Sequence, residues 1–550
     1  MSVNIKVDGK IIEAEAGRQL IDVLIENGWD IPHFCYHPGL GPDGNCRMCQ
    51  VEIVTPRGPL LAISCNTKVT DGMEVVTNSD KVKKVRAAVE EFLLLNHPLD
   101  CPICDKAGEC TLQNYYMGHD QKDGRQEFTR FKKQKAQDIG PTLILDQERC
   151  VLCDRCVRFL RNWAGEEQLY IAGRGHRAFL TTFPGKEVTS PYSLNTVDLC
   201  PVGALTSKDF RFSTPTWFLR RTPSVCTTCS RGCSIEIDVD SRDNKVKRLR
   251  PRHNPHVNGY WICDEGRLNY KFVNTDRVEK CFVDRNGEKY ETSLENAARE
   301  AGTLLGAGAK TPGSPSTPKG AGSSAGGKAA GQPPLLVLVS ATSTLEEMFA
   351  CKLLGRARPG TTLFCVRHVP DGVEDRLLRK SDRHPNVKGA ELLGLRLADF
   401  AAESDALPAL AAPPAKDAVL LAVGFDYGIG KSLEKFFEKF SKIVVISARE
   451  SALTKKAHVL IPGLTFAEKE GLVVNFEGHI QMLSPALDRL WDRVPPWQVV
   501  ARLVAELTGE GGFDTVANLR KRLGAEETAF SGIDLNSVGS TGVRVGKSPV

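Results

Sequence analysis

Cys150-Val151-Leu152-Cys153-Asp154-Arg155-Cys156 fixes how the rest of this chain is read, and Cys200-Pro201 lies further along it. Three cysteines at two-residue gaps, with a distant fourth followed by proline, form the bacterial ferredoxin pattern for a [4Fe–4S] cluster. A tight turn with Cys at every third position points three thiolates at three corners of one cube, and a remote segment closes the fourth. Structural zinc also takes four cysteines, but usually as two separated C-x2-C pairs rather than a 3+1 split.

The other cysteines fall into similar groups on either side. Fifteen of the 18 lie between Cys35 and Cys263. Upstream are Cys35, Cys46, Cys49 and Cys65, with Cys46-Arg47-Met48-Cys49 in a Gly-flanked loop. Val3–Val7 alternates, Asp8-Gly9 turns, Ile11–Ala14 can pair back, and Gly17–Asn27 has a helical apolar face. Hairpin then helix suggests a β-grasp module over residues 1–80. Four thiolates on loops around a small sheet suit a [2Fe–2S] cluster. The first gap is C-x10-C rather than the plant-type C-x4-C, and zinc stays open on ligand count.

Residues 81–140 open with a helix predicted over Val82–Asn96, with Val85, Val89, Phe92 and Leu93 on one side. His97, Cys101, Cys104 and Cys110 follow. Three cysteines leave a cube one donor short. His97 is the nearest candidate, since imidazole ligates iron in Rieske centres; otherwise His97 caps the helix and a distant Cys supplies the bond. Residues 141–218 carry the opening motif, with strands expected at Pro141–Asp146, Tyr170–Ala172 and Phe179–Phe183 and a short helix over Val157–Trp163. Residues 219–275 hold Cys226, Cys229, Cys233 and Cys263 around a predicted hairpin, Ser234–Asp240 with Lys245–Leu249. This is another 3+1 set and a [4Fe–4S] candidate, with zinc again the alternative.

Residues 276–550 change character. The stretch 306–334 is a Gly/Ala/Ser/Pro/Thr/Lys linker that cannot bury a core. Beyond it, strands at Leu335–Val339, Thr362–Val366, Val419–Val423 and Ile443–Ile446 alternate with helices. One helix opens on Ser343-Thr344-Leu345-Glu346, read as a capping box, and another spans Leu433–Phe440. Such units point to a parallel α/β sheet. Gly424 to Ser432 ends in Gly-Lys-Ser but misses the phosphate-loop spacing by one residue. Cys281, Cys351 and Cys365 are isolated and read as small buried hydrophobes.

The bulk numbers narrow the class. At 550 residues, 41% hydrophobic and 25% charged, the chain is an ordinary multidomain globular protein. A net charge of +5 and no basic stripe argue against nucleic acid. The basic run Arg125–Lys135 reads as a solvated or partner-facing loop. No secretory signal and no membrane-spanning run is read in the sequence. Clustered cysteines without an export signal argue against a disulfide framework. No G-x-G-x-x-G follows a strand, so neither flavin nor NAD is expected on this chain.

Taken together, these sets resemble the 75 kDa iron–sulfur subunit family of NADH:quinone oxidoreductase (respiratory complex I), its largest peripheral subunit, in a bacterial-type form. The resemblance covers residues 1–270 closely. It is carried by His33-Phe34-Cys35-Tyr36-His37-Pro38, Asn45–Cys49, His97–Cys104, Cys150–Cys156 and Cys200–Leu205. It implies a [2Fe–2S] cluster on Cys35, Cys46, Cys49 and Cys65. It also implies [4Fe–4S] clusters on His97, Cys101, Cys104 and Cys110, and on Cys150, Cys153, Cys156 and Cys200. Cys226, Cys229, Cys233 and Cys263 match an additional [4Fe–4S] cluster that some bacterial members carry away from the main route. Asp382–Asn386 and Phe466–Gly471, continuing to Gly478, are similar to a shortened molybdopterin-oxidoreductase domain. That tail is too short to enclose the pterin, so neither molybdenum nor molybdopterin is expected.

The implied function is electron relay. Electrons that originate at NADH would pass from a flavin-bearing, NADH-binding partner toward an iron–sulfur subunit of the quinone-reducing module. The implied location is peripheral, on the cytoplasmic face of the bacterial inner membrane. The rival is the electron-input part of a formate dehydrogenase or an NAD-linked hydrogenase catalytic subunit. By the same resemblance the Cys150 set stands between the first and second sets in electron order. The fold must therefore bring residues 150–200 between the two earlier modules, and residues 1–275 are expected to pack as one rigid unit.

Overall fold

A computed structural model describes residues 1–119, 124–306, 333–400, 417–489, 493–509 and 513–546. The chain divides into two compact units, Met1–Leu219 and Arg220–Val550. The expected single body over 1–275 is thus split after Leu219, and the fourth cysteine set falls in the second unit. The reason lies in its core. Val225, Ile235, Ile237 and Val239 are buried in one cluster with Phe466, Ala467, Val473 and Leu483 of the tail.

The first unit starts with a five-stranded mixed sheet in the order β2-β1-β5-β3-β4. Its strands are β1 (Ser2–Val7), β2 (Lys10–Glu15), β3 (Gln50–Thr55), β4 (Gly58–Ile63) and β5 (Glu74–Val76). The hairpin forms as read, pairing Ser2 with Glu15 through Val7 with Lys10. Helix α1 (Leu20–Glu26) buries Leu20, Ile21, Val23 and Leu24 against it.

Helix α2 (Asp80–Leu94) is capped by the Ser79 side chain, which accepts from Val82 N. Its buried stripe is Val82, Arg86 and Glu90, spaced four apart. The apolar face expected from Val85, Val89, Phe92 and Leu93 is not the buried one, and Phe92 is 73% exposed. Arg86 wins the inner position because its Nη2 donates to Gln50 O at 2.6 Å. Glu90 is fully buried, with no hydrogen-bond partner on either carboxylate oxygen. Burial pushes its pKa up to about 7. A carboxyl raised in the fold contributes stability that is full below its unfolded value and is lost as pH rises through about 7. Glu90→Gln is therefore expected to flatten that loss, gaining up to about 3 kcal/mol at pH 8 and little at pH 5. Denaturant unfolding at several pH values checks this, and an unchanged pH slope refutes it.

The basic run 125–135 is mostly exposed, in keeping with a solvated loop, and ion pairs anchor it at both ends. Arg125 pairs with Glu91, and Lys135 Nζ lies 2.5, 3.4 and 2.9 Å from Asp100, Asp146 and Glu148. Strand Leu143–Leu145 leads into the central cysteine loop, and strand Leu205–Ser207 pairs back on it antiparallel. The expected helix starts earlier, as a short turn over Arg155–Arg158, and runs on as a π-helix over Phe159–Ala164.

In the second unit, Ser234–Asp240 and Lys245–Pro251 form the expected antiparallel hairpin, with Leu219–Val225 as a third strand. The main sheet has eight strands. Six are parallel: Leu335–Ser340, Thr361–Arg367 and Arg396–Asp399 run one way from the centre; Val419–Val423, Lys442–Ser447 and Val459–Pro462 run the other. Strand order reverses between Leu335–Ser340 and Val419–Val423, which makes the sheet doubly wound. The central strands are the most apolar, Val419–Val423 wholly so, because both their faces are covered, whereas the edge strand Arg396–Asp399 is mostly exposed. Helix Leu345–Ala357 has its capping box on Thr344 and Glu347, one residue later than read. Glu346 instead turns inward, accepting from Leu472 N and Arg520 Nε at 2.9 and 2.7 Å. The expected linker lies almost wholly outside the described residues. Cys281, Cys351 and Cys365 are buried, as read.

Candidate iron–sulfur sites

The central loop is built by two left-handed residues. Leu152 and Asp154, between successive cysteines, have φ of 52° and 63°. That conformation is strained for a non-glycine residue, and such strain gathers at functional sites. The result is one cavity lined by Cys150, Cys153, Cys156 and Cys200, with apolar walls from Ile171, Leu180 and Val202. Leu152 N donates to Cys150 Sγ at 3.4 Å. Burial pushes the Cys150 and Cys153 thiols up to about 12, and Cys156 well above its ordinary value. Burial thus favours the protonated form of these three thiols. They become thiolates when a cationic metal centre takes the place of the protons. The donor chemistry and the single apolar cavity fit an iron–sulfur cluster.

The first set is brought together on the loops beside β3. Cys35 N donates to Cys46 Sγ at 3.4 Å, and Arg47 is left-handed at φ 60°. Thiol hydrogen bonds from Cys46 and Cys65 hold Cys35 far below its ordinary value, and one from Cys65 pulls Cys49 down to about 7. All four sulfurs are thus in mutual reach through a chain of such contacts.

In the second set, His97, Cys101 and Cys110 line one cavity with Leu95, Pro98 and Leu112. Cys104 does not line it and packs instead against Gly203, where any side chain would overlap its sulfur. The His97 backbone N–H donates to Leu94 O at 3.2 Å, so its link to the end of α2 is main-chain only. Burial, helped by Arg149, lowers the imidazole to about 4, so the ring is neutral at pH 7, the form that binds metals.

In the second unit Cys226 N donates to Cys233 O at 2.8 Å, and Cys263 caps Asp264–Leu268 by accepting from Gly266 N at 3.3 Å. A side chain at Gly266 would press on the Cys226 and Cys263 sulfurs together, at 3.0 and 3.3 Å. Thr227 is hydrogen-bonded to the hydroxyl of the half-buried Tyr427, which ties the cysteine loop to the segment after strand Val419–Val423. Among the described residues no three His, Cys, Asp or Glu side chains converge on a single-ion position.

Within the first unit, the segment carrying the third set reaches both others. Arg155 and Arg158 donate to Tyr36 O and Cys35 O. On the other side Thr111 N donates to Pro201 O at 2.9 Å, and Arg149 pairs with Asp100 at 2.9 Å. The earlier modules also touch directly: α3 (Thr111–His119) presents Tyr115, whose hydroxyl accepts from His33 N at 2.9 Å. The sequence pattern did not single out Arg149, Arg155, Arg158, Gly203 or Tyr115. The available signal for the arginines was an Arg directly before Cys150 and before Cys156, and a third two residues after Cys156.

Five family models match in the same order as the sites. They are a 2Fe-2S iron–sulfur cluster binding domain over 1–80, and the NADH-ubiquinone oxidoreductase-G iron–sulfur binding region over 86–125. The ferredoxin-like domain of NADH-quinone oxidoreductase subunit 3 covers 140–206, and the molybdopterin oxidoreductase Fe4S4 domain covers 219–275. The molybdopterin oxidoreductase family matches 424–506. The NADH-ubiquinone oxidoreductase 75 kDa subunit of Reclinomonas americana is 41% identical over 54% of this chain and 42% of its own length. NADH-quinone oxidoreductase subunit 3 of Thermus thermophilus is 38% identical over 54% of this chain and 41% of its own. A solved NAD+-reducing [NiFe]-hydrogenase chain is 31% identical over 39% of this chain and 92% of that chain, at a TM-score of 0.36, too low to carry a structural argument. The matched region spans less than half the length of these curated relatives. Through that region the chain is similar in sequence to the iron–sulfur subunits named above.

Proposed function

We propose that this chain is an iron–sulfur electron-transfer subunit of an NADH-quinone oxidoreductase, relaying electrons from an NADH- and FMN-binding partner toward the quinone-reducing module. The observation that carries the reading is the packing of three cysteine sets in one unit, with the third touching the ligand loops of the other two. When bound, the clusters supply one-electron carriers. The chain's own residues hold, desolvate and space them. A β-grasp module holds one [2Fe–2S] cluster on Cys35, Cys46, Cys49 and Cys65. Three [4Fe–4S] clusters sit on His97, Cys101, Cys104 and Cys110; on Cys150, Cys153, Cys156 and Cys200; and on Cys226, Cys229, Cys233 and Cys263. Cys104 reaches its cluster from beside Gly203, on the side facing the third set. No helix among the described residues is long and apolar enough to cross a membrane, which suits a peripheral place on the cytoplasmic side.

The tail acts as a scaffold without molybdopterin. Doubly wound sheets bind ligands where strand order reverses. Here a buried histidine bridges the segments that follow those strands. His368 Nε2 meets Ser340 Oγ at 2.8 Å, and His368 Nδ1 meets Gly428 O at 2.9 Å.

The test is elemental and spectroscopic. Iron and acid-labile sulfide are expected at about 14 atoms each per chain. Molybdenum or tungsten at one per chain, or stoichiometric zinc without sulfide, overturns the reading. His97→Cys is expected to change the EPR signature of the second cluster and lower its potential, because thiolate holds iron at lower potential than imidazole. A spectrum identical to that of the native chain removes His97 from the ligand set.

A further inference from the structure

Arg155 and Arg158 are buried cations whose charge the protein leaves largely unpaired. They are 8% and 4% exposed. Among the described residues no carboxylate pairs with Arg155; Arg158 has Asp43 at 3.9 Å and the Asp154 carboxyl within electrostatic reach. The Nε of each is buried without a hydrogen-bond partner. A buried charge is costly unless an opposite charge stands near. Their remaining donors go to main-chain carbonyls, and the choice of carbonyls is informative. Arg155 donates to Tyr36 O, next to Cys35, and to Leu199 O, next to Cys200, the latter at 3.3 Å. Arg158 donates to Cys35 O, and to Leu40 O and Gly41 O at 3.4 and 3.2 Å. One guanidinium thus spans a ligand loop of the first set and a ligand loop of the third. Cys153 lies within electrostatic reach of both Arg155 and Cys35.

We propose that Arg155 and Arg158 are the shared counter-charge of the first and third clusters and set the potentials of both together. The inference rests on the cluster reading given above. A thiolate-ligated cluster is anionic and gains one more negative charge on reduction. A fixed cation beside it favours the reduced form and raises its potential, as charge and hydrogen bonding around clusters generally do. A cation shared by two clusters raises both, so the difference between them, which drives transfer, changes little. The same forks also lock the two ligand loops at a fixed separation. A clamp without electrostatic consequence would account for the hydrogen bonds but not for leaving the buried Arg155 charge without a carboxylate.

Redox titration of the full chain with its clusters, followed by EPR, tests this. Arg155→Gln is expected to keep its iron while both potentials fall together. At fixed poise the reduced-to-oxidised ratio of each should drop about tenfold, or about 59 mV for one electron. Arg155→Lys, which keeps the charge, is expected to hold both near native. Arg161→Gln, an exposed charge on the same segment, should move neither. Full iron with neither potential moved, or with only the third moved, overturns the proposal. So does a fall in Arg155→Lys as large as that in Arg155→Gln. If Arg155→Gln does not take up iron, the lysine variants at 155 and 158 decide: native potentials support the shared charge, and lowered ones reject it. Absence of iron and sulfide from the native chain is a separate result that overturns the cluster reading itself.

Discussion

Cys153→Ser is expected to cost the chain about four of its roughly 14 irons and to abolish electron passage from the first cluster to the second. Cys153 is buried in the one cavity that all four cysteines of its set line. Serine is nearly isosteric, so the loop keeps its turn, but its hydroxyl is a far poorer donor to iron than a thiolate. The loss should be confined. The first set stands on its own sheet and loops, and the His97 set on the segment after α2, so EPR signals from those two sites should persist. Cys351→Ser is the control: that thiol is buried in the tail core, belongs to none of the four sets, and should leave iron unchanged. Full iron in the Cys153 variant, or equal loss in the Cys351 variant, contradicts the assignment.

Lys469→Met is expected to be the most destabilising single change. Lys469 and Glu347 are 4% and 1% exposed, and Lys469 Nζ lies 2.8 and 2.9 Å from the two Glu347 oxygens. Glu347 also caps its helix by accepting from Thr344 N at 2.9 Å. Removing the lysine strands a buried carboxylate, which costs about 3–5 kcal/mol. The unfolding temperature of the second unit should fall by roughly 10 °C. Lys469→Met with Glu347→Gln should recover part of the loss, since Glu347 no longer carries a charge; the buried Asp426 carboxyl, which also faces Lys469, keeps the remainder. A double-mutant cycle by thermal unfolding measures that coupling, and simple additivity refutes it. Similar buried pairs recur nearby, with Arg520 on Glu346 and Arg493 on Glu468 at 2.7 and 3.3 Å. Such pairs hold the helices and strands of the tail to one another.

Several elements were legible because their cause is local. The hairpin of β1 and β2 follows from alternation around Asp8-Gly9, and the parallel strands of the tail from unbroken apolar runs. The cysteine grouping was equally plain, since ligand spacing within a turn is a property of the sequence. Three readings went astray for physical reasons. On α2 the hydrophobic pattern pointed to Val89 and Phe92, but a carbonyl at Gln50 drew Arg86 inward and turned the helix about its axis. The capping box moved from Ser343 to Thr344 because Glu346 was claimed by Arg520 and Leu472 from elsewhere in the tail. The rigid body expected over 1–275 divides after Leu219, because the fourth set shares its core with Phe466 and Leu483.

Which residues can bind iron, in what grouping, and what kind of chemistry follows are all written along the chain, because thiolate number and spacing are local properties. What surrounds those ligands is not. Folding set Arg155 and Arg158 between two ligand loops, placed Gly203 against Cys104, and seated Tyr115 on the loop before Cys35. Such contacts join residues that the chain keeps far apart, and packing energy rather than local pattern selects them.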